Sequence, residues 1–360
     1  MADNVRPVWT DEELDAALAT LHDQPTGAPD LAAAKAALFA ALEQPLPAPK
    51  PARRWRWTAA AAVIVIIGGV AVAETVLSGP AAPTASAAAP TLHRAAIAAI
   101  REQDQVAGPD QYTYVRTDAW ATDGVQLNGG RTLEKLVEIV SQTWVPTERS
   151  RDWLLRSALT GRGAWLVGSD AERKAAGIPA DLFDRRGADV TAPCGDFASP
   201  AHKAPSCADR NLPAGWQNPT PAWLAGLPTD PQGMLSRLRA DAPDNSRGDA
   251  ELVTYVNDAL QTGLVPAKVR AVLYQALALL PDLTVTQKEA NLAGRVGVAM
   301  GVDDPAYPTR DDIIIDPATG RYIGERTVQL RTQDGIKAGT VTEFSAVTTS
   351  VADRLGEQPK

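Results

Sequence analysis

The stretch Thr58–Leu77 is almost entirely Ala, Val, Ile and Gly, and Arg53-Arg54-Trp55-Arg56-Trp57 stands directly before it. About 20 apolar residues at ~1.5 Å rise each cover a hydrocarbon core of ~30 Å, so this run predicts one membrane crossing. Arginines and tryptophans gathered at its near end place the N-terminus in the cytoplasm and the longer C-terminal part outside. A cleaved leader ending near Ala85-Ser86-Ala87 is disfavoured, because such leaders occupy only about 15–30 residues and this apolar run begins at Thr58. Arg53-Arg54 reads as a positive-inside anchor rather than a twin-arginine export signal.

Four segments follow. Residues 1–52 form a cytoplasmic tail in which Thr10-Asp11-Glu12-Glu13 opens one short amphipathic helix and Asp30 a second, before the proline run Pro45–Pro51. Residues 53–77 are the transmembrane helix with its Arg/Trp flank, and 78–90 an Ala/Pro-rich stalk. Residues 91–356 are an extracytoplasmic domain, long enough to bury a sizeable core.

In that domain Leu92, Ala95, Ala96, Ala99 and Ile100 are expected on one helix face. Tyr112–Thr117 alternates, Leu133–Trp144 is rich in β-branched residues, and Arg151–Thr160 and Ala164–Gly168 are expected to continue an antiparallel meander. Prolines and glycines from Ala188 to Asn218 predict a long irregular excursion. Helices are expected over Pro231–Ala240, Asp249–Gln261 and Pro266–Leu280. The clearest hairpin runs from Asp311–Ile315 through Asp316-Pro317-Ala318-Thr319-Gly320 to Tyr322–Leu330, and Thr340–Val351 returns as a further strand. Helices interrupting a meander make the fold class α+β: an antiparallel β-meander with helical insertions, preceded by one transmembrane helix.

Several of these segments resemble an uncharacterised actinobacterial family of single-pass, membrane-anchored envelope proteins. They are the Arg-rich anchor, the alanine-rich helix, Pro109–Arg116, Trp144-Val145-Pro146, Leu227–Pro231 and Asp316–Gly320. Some members of that family are encoded beside extracytoplasmic-function sigma factors, and the resemblance carries no catalytic residues. The order of an N-terminal helix followed by a meander is similar, more loosely, to lipoprotein-carrier and sigma-regulator sensor folds.

The formal charge of −8 and the lack of a long Lys/Arg run argue against nucleic acid as a partner. Cys194 and Cys207 lie on the oxidising side and are expected to pair. The histidines are His22, His93 and His202. The first lies on the cytoplasmic side, His93 is expected in a solvated first helical turn, and His202 falls in the cysteine loop. The sequence contains no G-x-S-x-G elbow, zinc helix or phosphate loop. Asp303-Asp304 and Asp311-Asp312 read as turn and strand-edge acids, since neighbours on a strand point to opposite faces. Asp241–Asp249 lacks the ligand spacing of a calcium loop.

No enzyme, cofactor or metal site is therefore expected. Trp120, Trp144, Trp153, Trp165, Trp216 and Trp223 either fill a core or line an apolar groove. The expectation for function is a membrane-anchored, sensor-like protein that binds a lipid, another apolar ligand or an envelope protein without catalysis. Tyr112, Tyr114, Trp144 and Trp153 are the expected ligand-binding residues. The alternative is a transmembrane anti-sigma-type regulator that engages a sigma factor through residues 1–52.

Overall fold

A computed structural model of the chain describes residues 86–359, apart from 103, 128–129, 184–186, 202–205, 211 and 293. The expected tail helices, the apolar run Thr58–Leu77 and the stalk as far as residue 85 lie outside the described residues, as do His22 and His202. Among the described residues no helix is long and apolar enough to cross a membrane.

The chain enters the domain through helix α1 (Ala89–Arg101), which has proline in its first turn, where a missing N–H costs nothing. Leu92, Ala95, Ala96 and Ala99 form its buried stripe. Ile100, expected on that face, is 60 % exposed: at about 100° per residue it has rotated off a stripe centred on Leu92 and Ala96. Ser86–Pro90, read from sequence as the end of the stalk, packs onto the domain, with the Ser86 N–H donating to the Ala278 carbonyl and Ala88 fully buried.

Four strands then run as a meander: β1 (Tyr112–Gln126), β2 (Thr132–Pro146), β3 (Asp152–Val167) and β4 (Ala188–Pro193). The two expected segments after Arg151 are one continuous strand whose pairing with β2 shifts register between Val137 and Ile139. Strand β4 lies inside the stretch expected to be irregular. Its short run pairs with β3 from Asp152↔Pro193 to Ser157↔Ala188, and six residues carry too little pattern to announce a strand. Between β3 and β4 lies the short helix α2 (Asp170–Ala175).

The chain next passes through α3 (Pro221–Ala225), α4 (Pro231–Asp241), α5 (Asp249–Gln261) and α6 (Ala267–Leu277). Asp230 caps α4 by accepting from the Gly233 N–H at 2.8 Å. Five strands complete the fold: β5 (Thr284–Leu292), β6 (Arg295–Asp303), β7 (Thr309–Asp316), β8 (Arg321–Gln329) and β9 (Val341–Ala352). All pairings are antiparallel, in the order β4-β3-β2-β1-β9-β8-β7-β6-β5, so the first and last strands meet at the centre of a nine-stranded sheet. The described residues therefore form an α+β domain in which helical segments join one sheet edge to the other.

The main core lies between one sheet face and helices α1, α4, α5 and α6, with Val115, Met300, Ile313, Ile315 and Val347 meeting Leu92, Leu238, Val256, Leu273 and Leu277. Burying each such side chain contributes about 1.5–3 kcal/mol. The opposite face carries two smaller apolar clusters, one of Ile314, Ile323 and Ala346 with their neighbours, the other of Tyr112, Tyr114, Trp144, Leu154 and Ala352.

The Asp316–Gly320 turn joins α1 to the sheet. Asp316 accepts from the Ala318 N–H and the Thr319 hydroxyl, and Gly320 has φ +68°. A Cβ on Gly320 would lie 2.3 Å from the Ala95 carbonyl oxygen, so only glycine lets helix and turn approach this closely.

Candidate functional site

The four expected ligand-binding residues do not share a surface. Strand register puts Tyr112, Tyr114 and Trp144 on the face away from the helices, with Tyr114 opposite Trp144 and Trp144 opposite Leu154. There the segment 353–359 roofs them. Trp144 Nε1 donates to the Glu357 carbonyl at 2.6 Å, Arg156 reaches the Gly356 carbonyl, and Gln358 bonds Gln142. Trp144 is fully buried, and its ring meets Tyr114 edge-on at 5.1 Å. Trp153 alternates to the helix-side face, against Phe197. Of the other tryptophans, Trp120 stacks on Phe344 within the sheet, and Trp216 packs edge-on against Trp223 at the helices, its Nε1 bonded to Asp241.

Two cavities open on the helix side. The first, of about 380 Å³, lies where the sheet parts. Strand β9 pairs with β1 as far as Ala352, but with β8 only from Val341 to Ala346. Beyond Ala346 its β8-side edge is vacated, and Arg295 crosses the gap to donate to the carbonyls of Ile323 and Val347. The α5–α6 turn, the connector at Val106-Ala107 and the tip of the β2–β3 hairpin close the walls. Leu260, Leu264 and Val265 give this cavity an apolar side, and Val106 stands at it 85 % exposed. The second cavity, of about 400 Å³, is bounded by Trp153, the Cys194–Cys207 bridge, Leu212 and Pro219.

Arg149 and Pro221 line both cavities. Arg149 sits at the β2–β3 hairpin tip, which is held from two directions. Trp153 Nε1 donates to the Arg149 carbonyl at 3.0 Å, and the Cys194 N–H donates to the Arg151 carbonyl at 3.2 Å. The expected disulfide is present and ties the loop that holds this tip. Gly195 in that loop lies against the Trp153 ring, where a Cβ would come within 2.6 Å. A buried ion pair, Arg210 to Asp196 at 3.0 Å, braces the loop from within.

The arginines of the first cavity differ in how they are satisfied. Arg270 pairs with Asp104 and Arg321 with Glu102, each at 2.9 Å, and Arg295 uses backbone carbonyls. Arg149 has no ion pair or side-chain hydrogen bond among the described residues. Its Nη1 is buried without an acceptor, and its guanidinium lies 5.4 Å over the Trp153 ring. Burial pushes both Arg149 and Arg295 below the usual arginine range.

A separate polar nucleus lies between α5 and the sheet. Arg247 reaches Asp304, Glu251 and Asp311 within 2.6–3.0 Å. Deeper in, Glu325 accepts from Gln261, and its carboxyl is pushed up to about 8 by burial and by Asp258, Asp311 and Glu343. Burial is likewise the first cause of the upward shifts of Asp258 and Glu343. On the other face Asp312, expected at a strand edge, sits in an interior strand at 0 % exposure between Arg310 and Arg326. Two guanidiniums compensate its charge, which is how a carboxylate tolerates complete burial.

Among the described residues no three His, Cys, Asp or Glu side chains converge as a metal set. Both cysteines are in the disulfide, and His93 is exposed on α1. Sequence reasoning did not single out Arg149. Thr147-Glu148-Arg149-Ser150-Arg151 reads as any charged, solvated hairpin tip, and only the packing removes the partners of its central arginine. No protein-family model, curated protein or solved structure matches the chain.

Proposed function

We propose that this chain is a membrane-anchored extracytoplasmic binding protein without catalytic activity, and that its ligand enters the cleft between the helical layer and the parted centre of the sheet. The observation that carries this is the cavity of about 380 Å³ beside Thr113, Leu260, Leu264 and Val265, within the size range of small-molecule sites. Its walls combine helix-side apolar groups with threonines and four arginines, three of the latter fixed by ion pairs or backbone carbonyls, an arrangement that orients a guest. The residues invoked supply contact area and charge only.

Native mass spectrometry of the full-length chain tests this. A co-purifying small-molecule mass is expected, and Thr113→Phe, which fills the cavity from a strand position suited to an aromatic, is expected to remove it while the circular dichroism spectrum is unchanged. A clean apo mass together with no saturable binding of any apolar or amphiphilic probe would overturn the proposal.

A further inference from the structure

We infer that the cleft takes an organic anion, with a carboxylate or phosphate monoester head on the Arg149 guanidinium and an apolar body against Leu260, Leu264 and Val265. This rests on the binding function proposed above and gives its ligand a chemical class.

Four observations converge on it. Arg149 alone among the four cavity arginines has neither a carboxylate nor a carbonyl acceptor, and its buried Nη1 has no hydrogen-bond partner. Arg149 lines both cavities with no side-chain hydrogen bond or ion pair among the described residues, so the guanidinium N–H groups that face a cavity are free to donate to a bound anion. The two cavities that meet at Arg149 contain one acid between them, Asp104, and that acid is engaged by Arg270. A cationic guest finds no counter-charge there. The guanidinium is also placed in advance. The Arg149 carbonyl is bonded to Trp153, the guanidinium carbon lies 5.4 Å over the Trp153 ring, and the disulfide loop closes behind it. Little ordering remains to be done on binding, and the planar fork matches carboxylate and phosphate oxygens in a bidentate manner. On one side of the same cavity Leu260, Leu264 and Val265 form an apolar wall, and exposed Val106 extends it toward solvent. An inorganic anion would leave that wall unused.

The test uses the full-length chain in lipid nanodiscs, with empty discs subtracted, and follows tryptophan fluorescence and calorimetric titration. The probes are octanoate, octyl phosphate, octanol, octylammonium and inorganic phosphate. Octanoate and octyl phosphate are expected to bind saturably and about tenfold or more tighter than octanol, the size of one charge-assisted hydrogen-bonded contact. Octylammonium is expected not to bind. Arg149→Gln is expected to bring octanoate down to the affinity of octanol. Arg149→Lys keeps the charge without the fork and is expected to fall between; it serves in place of the Gln variant if that variant does not fold.

Equal affinities for octanol and octanoate, or an Arg149→Gln protein that binds octanoate as the parent does, overturn the anion while leaving the binding cleft intact. Inorganic phosphate binding as tightly as octyl phosphate overturns the apolar body. Failure of every probe to bind overturns both the inference and the cleft.

Discussion

Glu325→Gln tests whether the carboxyl buried beneath α5 is a pH-dependent load on the fold. Glu325 faces Gln261 and Asp258 of α5, Asp311 of β7 and Glu343 of β9, and its carboxyl titrates at about 8 instead of 4.5. Because the folded value lies above the unfolded one, the folded state favours the proton. Its contribution to stability is complete below about pH 4.5 and is lost as pH rises through about 8. Each pH unit in that window costs about 1.4 kcal/mol, or about 3–5 kcal/mol in total, the lower figure applying where partial exposure of Glu325 lets water relieve the charge. Glutamine keeps the shape and the bond to Gln261 but does not ionise. Urea unfolding of parent and variant at pH 5, 6, 7, 8 and 9 should give nearly equal stabilities at pH 5 and a variant more stable by about 3–5 kcal/mol at pH 9. Some slope should persist in the variant, because Asp258 and Glu343 shift in the same direction. Parallel stability profiles from pH 5 to 9 would refute the assignment of this load to Glu325.

Three further substitutions probe the frame around the site. Asp312→Asn removes the carboxylate between Arg310 and Arg326, leaving Arg310 its pair with Asp303 and Arg326 its bond to Gln287, and chemical denaturation should show a loss of about 3 kcal/mol. Gly320→Ala places a Cβ into the α1 backbone at a left-handed φ, so the melting temperature should fall by several degrees, a loss of more than ~1 kcal/mol. Replacing Cys194 and Cys207 together by serine removes the link across 13 residues of chain, and unfolding should become about 3 kcal/mol easier. The same double variant should weaken octanoate binding, since the bridge lines the cavity behind Arg149.

The amino-acid sequence by itself determined the local elements with strong periodicity or turn chemistry. Asp249–Gln261 appears as a helix with those bounds, and the hairpin through Asp316–Gly320 forms around the turn that its Asp, Pro and Gly specify. The pairing of Cys194 with Cys207 was equally legible, because no other cysteine exists in the chain. These features depend on neighbours close in the chain, where spacing and backbone preference act directly.

Tertiary structure alone decided what lies between elements. Strand β4 exists because β3 offers it an edge, not because six residues prefer to be extended. Tyr112 and Trp153 look alike in sequence, yet register sends them to opposite faces, and the aromatic groove expected from their composition is divided by the sheet itself. Asp312 looks like an edge acid until Arg326, from the next strand, arrives beside it. Arg149 is the sharpest case: nothing in a charged hairpin tip announces an arginine without an acceptor. Its state depends on distant segments, the disulfide loop and Pro221, meeting beside one guanidinium, and long-range packing of that kind leaves no periodic trace along the chain.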